Sequence, residues 1–145
     1  METQNFKGFN IRVYALCIVN NELLTLKEPF AGNMVVKLPG GGLEFGEGTA
    51  DCLKREFKEE LNLEITVNDA FYIQEDFIPS LAKDGKQLLT LYFFATIIDL
   101  HNLEIIDKNI QEVNWIPLTA NNPFTLPVDQ IVFNKLQSKL SEQTL

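Results

Sequence analysis

The sequence contains few of the residues on which several common protein classes depend. Only two of its 145 residues are cysteines, which is too few for a disulfide framework, and neither belongs to a Cys-x-x-Cys pair. We therefore expect Cys17 and Cys52 to be reduced and structural. No apolar run approaches the roughly 18 residues of a membrane span, and residues 1–10 lack the apolar stretch of a signal peptide. These absences predict a cytoplasmic protein.

Positive charge is also scarce in this chain. Its 12 Lys and Arg residues stand against 20 Asp and Glu residues, which gives a formal net charge of −8. A broad nucleic-acid surface needs a basic face, and an anionic membrane attracts basic segments, so we expect neither partner. A small phosphate-bearing ligand remains compatible with this charge, because a bound metal ion can mediate between carboxylates and phosphates.

The length and the remaining composition predict a single domain over residues 1–145. Hydrophobic residues make up 46% of the chain and charged residues 22%, as in an ordinary soluble globular protein. A chain of this length buries enough surface to fold without disulfides or a structural metal. We find no internal repeat and no interdomain linker.

The apolar pattern predicts a mainly β chain with two helices. The predicted strands are Ile11–Val19, Glu22–Lys27, Met34–Leu38, Glu64–Phe77, Gln87–Ile98 and Val113–Leu118. The first two are separated by the turn pair Asn20-Asn21, and a second turn is expected over Ala82–Lys86. Helices are predicted over Thr49–Leu61 and Pro127–Leu140. This order indicates an α/β fold in which helices pack on a mixed sheet.

Residues 39–63, PGGGLEFGEGTADCLKREFKEELNL, carry the strongest chemical signal. The three glycines at 40–42 have no side-chain bulk, so a ligand can approach the backbone closely. Thr49 is expected to cap the N-terminus of the helix that follows.

Three carboxylates of this helix share one flank. Glu56, Glu59 and Glu60 are spaced by three and four residues, beside the apolar stripe of the helix. Like charges at this spacing repel each other, and partial burial would raise a pKa. A hard divalent cation would relieve both effects, since Mg²⁺ takes oxygen ligands and is often shared between carboxylates and substrate phosphates. The alternative is a solvated charged face.

The segment resembles the Nudix box of the Nudix hydrolases, G-x5-E-x7-R-E-U-x-E-E-x-G-U, where U is a bulky aliphatic residue. The matching positions are Gly41, Glu47, Arg55, Glu56, Glu59, Glu60 and Leu63. Phe57 replaces an aliphatic residue, which changes packing but not chemistry. Asn62 replaces the last glycine, and since Asn tolerates the left-handed conformation of a helix C-cap, we expect only a small loss of stability.

The resemblance implies a fold and an activity. The fold is an α/β/α sandwich with a mixed β-sheet flanked by helices. The activity is the hydrolysis of a pyrophosphate bond in a nucleoside diphosphate linked to a group X, with Mg²⁺ or Mn²⁺ as cofactor. ADP-ribose or a nucleotide sugar is the first expectation for the substrate, followed by a nucleoside triphosphate. Family members often form homodimers, which leaves a homodimer open here.

The resemblance also implies a set of metal ligands. Glu56, Glu60 and the backbone carbonyl of Gly40 would bind the first metal ion. Glu59 would bind a second metal ion or act through water. The general base would be a box glutamate, Glu59 or Glu60, or a carboxylate on a later loop.

Several later carboxylates could supply that base. They are Glu75, Asp76, Asp84, Glu104, Asp107 and Glu112. We favour Glu112, as base and metal ligand, because it lies at the entrance to the strand that carries Trp115. The alternative for Glu112 is an ordinary charge on a surface loop.

The other box residues would act on the carboxylates. Arg55 would orient a box glutamate through charge-assisted hydrogen bonds, and Glu47 could be its partner. Gly41, Glu47 and Asn62 would be structural parts of the box.

Three cations of the N-terminal strands could contact substrate phosphates. They are Arg12, Lys27 and Lys37, and for each one a solvated surface charge is the alternative. Tyr14, Phe30 and Phe77 could stack on a base, although the hydrophobic core is the alternative for each. His101 receives no role.

A second functional hypothesis is a non-catalytic nucleotide sensor on the same fold. Such modules usually lose box carboxylates, whereas this chain keeps all of them. The sequence therefore favours an enzyme.

Overall fold

The computed structural model describes residues 5–80 and 84–143. The strands, in chain order, are β1 (Phe9–Leu16), β2 (Ile18–Val19), β3 (Glu22–Phe30), β4 (Asn33–Lys37), β5 (Gly40–Gly42), β6 (Ile65–Ile73), β7 (Ile78–Pro79), β8 (Gln87–Ile97) and β9 (Glu112–Pro117). Helix α1 spans Thr49–Leu61 and helix α2 spans Pro127–Gln143, with a short 3₁₀ helix at Leu100–Asn102 between β8 and β9. No helix in the described ranges is both long and apolar enough to cross a membrane.

The strands form two sheets. In the first, the order is β5-β1-β8-β6, and β7 also pairs with β8. Strands β1 and β8 run parallel at its centre, while the other pairs are antiparallel, so this sheet is mixed. In the second, β3 pairs with β2, β4 and β9, all antiparallel.

Helices cover both faces of the first sheet. Successive side chains of a strand point to opposite sides, so β1 presents apolar side chains to both helices. Val13 of β1 packs in one buried cluster with Phe57 of α1. Leu16 of β1 packs in a second buried cluster with Val132 and Phe133 of α2. The molecule is therefore an α/β/α sandwich with a mixed sheet, which confirms the predicted fold class.

The structure differs from the predicted elements at several ends. The first predicted strand is broken at Cys17, and β6 ends at Ile73 rather than near residue 77. Gly40–Gly42, which lies outside the predicted strands, is strand β5, paired with β1. The N-cap of α1 is Gly48 and not Thr49, and the Asp51 carboxylate accepts its backbone N–H at 3.0 Å.

Two turn predictions have different outcomes. Asn20 and Asn21 both adopt positive φ, at 52° and 62°, which confirms the turn pair. Residues 82–83 of the other predicted turn lie outside the described residues.

Candidate active site

Arg55 organises the carboxylates of α1. Its guanidinium donates a bidentate pair of hydrogen bonds to Glu47, at 2.7 Å and 3.0 Å. It also donates to Glu56 at 2.8 Å and to the backbone carbonyl of Gly42 at 3.0 Å. One planar fork therefore joins the glycine strand, the loop after it and the helix.

This contact network confirms the predicted pairing of Arg55 with Glu47. Hydrogen bonds from Arg55 lower the pKa of the Glu47 carboxyl to about 2, so Glu47 is ionised at neutral pH. Glu59, in contrast, is largely exposed, and its oxygen lies 3.5 Å from the Arg55 guanidinium. Glu59 is thus accessible from solvent although Arg55 donates a long hydrogen bond to it, whereas Glu47 is held firmly by Arg55. The roles of both residues stay predictions.

Strand β5 brings its backbone against the α1 carboxylates. A Cβ added to Gly41 would lie 2.5 Å from the carboxyl carbon of Glu56, which is closer than real atoms approach. Gly40 has a φ of +144°, a conformation that side-chain-bearing residues rarely adopt. The glycines are therefore needed for close approach to Glu56 and for the path of the strand.

The environment of the Glu60 carboxylate is the feature that most strongly indicates a metal site. Its Oε1 atom is buried and has no hydrogen-bond partner among the described residues. Burial, followed by the charge of Glu56, raises the pKa of Glu60 to about 9. Glu28 and Asp107 lie close to Glu60. One carboxylate oxygen from each of the three residues lies within 4.8 Å of the other two. An orphaned oxygen among like charges fits a hard divalent cation.

The later carboxylate in this cluster is Asp107, not Glu112. Glu112 is the first residue of β9 and pairs across the sheet with Lys27 of β3. Since neighbouring strand residues face opposite sides, both point away from the face on which Glu28 meets Glu60. Nearby, Asn114 donates a hydrogen bond to Glu112 at 3.1 Å. The metal-binding and catalytic roles of Glu112 stay predictions.

A cavity of about 120 Å³ lies on the first sheet's α2 side, and none of the α1 carboxylates lines it. One wall consists of paired residues from β1 and β8, namely Asn10, Arg12 and Tyr14 with Leu88, Thr90 and Tyr92. Phe30 and Lys37 form part of another wall, and the Lys37 ammonium lies 4.4 Å from the centre of the Phe30 ring. Lys37 also pairs with Glu28 at 3.0 Å.

Arg12 connects this cavity to the carboxylates. It lines the cavity, donates a hydrogen bond to the Tyr14 hydroxyl at 2.7 Å, and interacts electrostatically with Glu56 and Glu60. The structure therefore brings Arg12 and Lys37 to one cavity. Lys27 does not line it, and its predicted phosphate contact stays a prediction. Phe77 is also absent from the lining, and its ring packs on Phe6.

Asp129, the third residue of α2, also lines the cavity, and sequence reasoning missed it. Its side chain is almost completely buried, and its Oδ1 accepts a hydrogen bond from the Tyr92 hydroxyl at 2.6 Å. Burial raises the pKa of Asp129 to about 6, although the Tyr92 hydroxyl and the charges of Lys37 and Arg12 act in the other direction. An acidic residue is common in the first turn of a helix, so its position in the sequence does not distinguish it.

Comparison with known proteins decides the family. The family model described as the NUDIX domain matches residues 8–136. This chain belongs to the NUDIX family. The predicted resemblance is thereby confirmed. Arg55, Glu47, Glu56 and Glu60 lie within the segment that resembles the Nudix box, whereas Glu28 and Asp107 lie outside it.

One curated relative is the nucleoside triphosphatase NudI of Enterobacter sp. (strain 638). It is 28% identical to this Nudix chain over 93 residues, which cover 61% of the chain and 66% of the relative. The match thus spans just under two thirds of that relative's length.

Two solved structures show the same Nudix fold. The MutT protein from Methanosarcina mazei Go1 has a TM-score of 0.73 and 18% identity, covering 92% of this chain and 96% of its own. The second is a bifunctional NMN adenylyltransferase/ADP ribose pyrophosphatase from Francisella tularensis, complexed with AMP and a Mn ion. It has a TM-score of 0.71 and 23% identity, covering 92% of this chain and 42% of its own.

Proposed function

We propose that this protein is a divalent-metal-dependent hydrolase of a pyrophosphate bond in a nucleoside diphosphate linked to a group X. The observation that carries the proposal is the buried, unpartnered Oε1 of Glu60, next to a cavity lined by Arg12 and Lys37. A metal cation at Glu60, together with the positive side chains of Arg12 and Lys37, would provide several positive charges for the negative phosphates of a substrate.

The proposed metal ligands are Glu56, Glu60, the Gly40 carbonyl and, for a second ion or through water, Glu59. Nudix hydrolases use divalent metal ions, and we propose Mg²⁺ or Mn²⁺ here. A divalent ion held there would supply charge neutralisation for the phosphate oxygens. Asp107, already one of the candidates for the base, becomes a candidate metal ligand as well, because one of its carboxylate oxygens lies close to those of Glu60 and Glu28.

The side chains around the metal ligands would position the substrate. Arg12 and Lys37 would bind non-bridging phosphate oxygens, since both are cations that line the cavity. Arg55 would orient Glu56 and would not bind the substrate, because its guanidinium already donates hydrogen bonds to Glu47 and to the Gly42 carbonyl. Glu59, Glu60 or a later carboxylate would take the proton of the attacking water.

The substrate has two candidate classes. The triphosphatase named among the relatives supports a nucleoside triphosphate, and the ADP ribose pyrophosphatase among the solved structures supports ADP-ribose or a nucleotide sugar. In both cases the substrate would be a small nucleotide, and the absence of a nucleic-acid partner stays a prediction from the net charge of −8. A homodimer and a cytoplasmic location remain predictions from the sequence.

A non-catalytic nucleotide sensor is the alternative function. The complete set of box carboxylates and the orphaned Glu60 oxygen speak against it, because a sensor has no need for an unstable group at this position. A ligand that stabilises the protein for hours with Mg²⁺ present and is not cleaved would favour the sensor.

The test is turnover by the purified protein with Mg²⁺ or Mn²⁺ across nucleoside triphosphates, ADP-ribose, nucleotide sugars and dinucleoside polyphosphates. We expect at least one substrate to be cleaved, and Glu60→Gln to lower kcat by two orders of magnitude or more, roughly the loss of a direct metal ligand. The matched control is Glu64→Gln, an exposed glutamate just beyond α1. No turnover across the panel would refute the proposed activity, and a fully active Glu60→Gln would refute the ligand assignment.

A further inference from the structure

Glu28 is a carboxylate outside the box that lies next to a proposed metal ligand. It belongs to β3, and one of its oxygens lies within 4.8 Å of an oxygen of Glu60 and of an oxygen of Asp107. The Glu28 side chain is only 17% exposed, so water screens the repulsion among these three carboxylates poorly. Because like charges in a partly buried site repel strongly, Glu28 needs a cation beside it.

The cation beside Glu28 in the structure is Lys37. Its ammonium nitrogen lies 3.0 Å from Oε1 of Glu28, and the two residues are diagonal neighbours on one face of β3 and β4. Among the described residues no other Lys or Arg forms a salt bridge with Glu28, and none forms one with Glu60 or Asp107. One ammonium therefore serves a cluster of three carboxylates, which leaves an excess of negative charge.

Lys37 also belongs to the cavity in which we propose that phosphates bind. Its ammonium lies 4.4 Å from the centre of the Phe30 ring, and both side chains line the cavity, whereas Glu28 does not. The Glu28–Lys37 pair thus links the carboxylate cluster to the cavity. An ammonium has three donors, and a donor directed at Glu28 cannot bind a phosphate at the same time. A divalent ion attracts a carboxylate more strongly than an ammonium does, because it carries twice the charge.

We infer that Glu28 is a residue of the metal site although it lies outside the box, and that Lys37 and the metal ion compete for its carboxylate. A Glu28 that binds the ion holds Lys37 less tightly, so the Lys37 ammonium turns towards phosphates in the cavity. Glu28 is therefore a positioning residue for Lys37, and it couples metal binding to substrate binding. The inference rests on the proposed function, since it uses that metal ion and those phosphates.

The first experiment measures Mn²⁺ binding to the full chain without nucleotide, by electron paramagnetic resonance of the free ion. We expect Glu28→Gln to weaken Mn²⁺ binding about 10- to 100-fold, the range for residues that support a metal site. Lys37→Met should tighten it about 2- to 5-fold, the factor for removal of a weak ion pair. Glu64→Gln and Lys54→Met remove the same charges from exposed positions and are the matched controls.

A double variant separates competition for one carboxylate from the action of charges at a distance. If Lys37 competes for Glu28, Lys37→Met should tighten Mn²⁺ binding in the wild type but not in Glu28→Gln. The same tightening in both backgrounds would overturn the inference, because Lys37 would then act without Glu28. Wild-type affinity for Mn²⁺ in Glu28→Gln would overturn it as well.

Lys37→Met alone tests the inference if Glu28→Gln fails to fold, because it leaves all three carboxylates in place. In EDTA this variant should melt below the wild type, since the repulsion in the cluster is no longer offset. A fixed concentration of Mn²⁺ should then raise its melting temperature by more than it raises that of the wild type. An equal or smaller rise would contradict competition between the ion and Lys37.

Chemical labelling follows the release of Lys37 itself. Acetic anhydride acylates free amines, and mass spectrometry measures the extent of labelling at each lysine. Mn²⁺ should raise the labelling rate of Lys37 about 2- to 5-fold in the wild type, because the ion pair that holds the amine is weakened. The rate at Lys54 should not change, and Mn²⁺ should have little effect on Lys37 in Glu28→Gln. A wild-type Lys37 rate that does not depend on Mn²⁺ would overturn the inference.

Turnover decides the proposed function separately from this inference. If nucleotides are cleaved and Glu60→Gln weakens Mn²⁺ binding whereas Glu28→Gln does not, the inference fails and the proposed function stands. If the variants behave as expected but no nucleotide is cleaved, the proposed function fails and the assignment of Glu28 to the metal site stands. A wild type that binds no Mn²⁺ would overturn the inference whatever the turnover.

Discussion

At the scale of single residues, Arg55 shows how one side chain can serve several parts of a site. Its fork contacts Glu47, Glu56 and the Gly42 carbonyl. A lysine at this position has one nitrogen on a flexible stem and cannot reach all three groups at once. The geometry of the proposed metal ligands therefore depends on a residue that need not touch the substrate.

We predict that Arg55→Lys lowers kcat about 10- to 100-fold, which is the usual range for loss of a residue that orients metal ligands. It should also lower the melting temperature and weaken the affinity for Mg²⁺. Steady-state kinetics at several Mg²⁺ concentrations and thermal unfolding measure these effects. Lys58→Arg, at an exposed position of α1, is the control. Wild-type kinetics in Arg55→Lys would contradict the positioning role.

The buried carboxyl group of Asp129 should make the free energy of unfolding depend on pH. Its pKa is about 6 in the folded protein, against an ordinary value of 3.8 for an aspartate side chain. A raised folded pKa means that the folded state binds the proton more tightly. The corresponding stabilisation is fully present below about pH 4 and is lost as the pH rises through 6. The groups facing this carboxyl are Tyr92 on β8, Arg12 and Tyr14 on β1, and Lys37 on β4.

We therefore expect Asp129→Asn to be more stable than the wild type at pH 8, by on the order of 3 kcal/mol. This advantage should shrink as the pH falls to 4. Urea unfolding in EDTA at pH 4, 6 and 8 measures the difference, with Asp69→Asn as the control. Parallel pH profiles for Asp129→Asn and the wild type would show that the buried carboxyl does not set the profile.

At the scale of elements, β5 carries the tightest constraint. This strand lies between β1 and the carboxylates of α1, and each of its residues is a glycine. A methyl group at Gly41 would collide with Glu56, whereas one at Gly42 would lie 3.7 Å from Arg12, an ordinary contact. The two positions thus offer a matched comparison on one strand.

We predict that Gly41→Ala displaces Glu56 and lowers kcat at least tenfold, an estimate from the loss of one metal ligand's position. Gly42→Ala should have a clearly smaller effect. Kinetics and Mg²⁺ titrations of both variants test this, and circular dichroism checks that β5 and its sheet are retained. Equal losses in the two variants would contradict the specific role of the Gly41–Glu56 contact.

Local signals predicted much of this architecture from the sequence. The bounds of α1 are as predicted, and Asn62 adopts a left-handed φ of 57° at its C-cap, where the Nudix pattern has glycine. Helical spacing placed Glu56, Glu59 and Glu60 on one flank because residues three and four apart are neighbours on any α-helix. These features depend on residues close together in the chain.

Long-range pairing explains what the sequence did not show. A run of glycines carries no strand signal, so β5 becomes visible only through its pairing with β1. Glu28 reaches Glu60 because β3, α1 and the loop at Asp107 converge, and no spacing in the sequence indicates that. For the same reason Asp129 could be found only once α2 was seen to close the cavity.

At the scale of the whole molecule, the net charge of −8 hides an internal arrangement of charge. Two cations, Arg12 and Lys37, line the cavity of an acidic protein, and carboxylates crowd beside it. A cation that binds this cluster removes repulsion present only in the folded state. Binding should therefore stabilise the fold as a whole.

We predict that millimolar Mg²⁺ raises the melting temperature at pH 7.5 by about 2–8 °C, the shift for binding well above its dissociation constant. Glu60→Gln should abolish most of this shift, and Glu64→Gln should keep it. NaCl at the same ionic strength controls for general screening. A shift equal to that in NaCl would mean that Mg²⁺ does not bind specifically.

The parallel pairing of β1 with β8 also has a consequence for folding during synthesis. Phe9 pairs with Gln87 and Leu16 with Phe94, so the centre of the first sheet joins segments nearly eighty residues apart. On the ribosome, β1 and α1 emerge well before β8. Their apolar faces therefore stay exposed until β8 is available to pair with β1. Such distant contacts slow folding, since the chain closes a long loop before it gains stability. The nascent chain is thus most exposed to aggregation until β8 has left the ribosome.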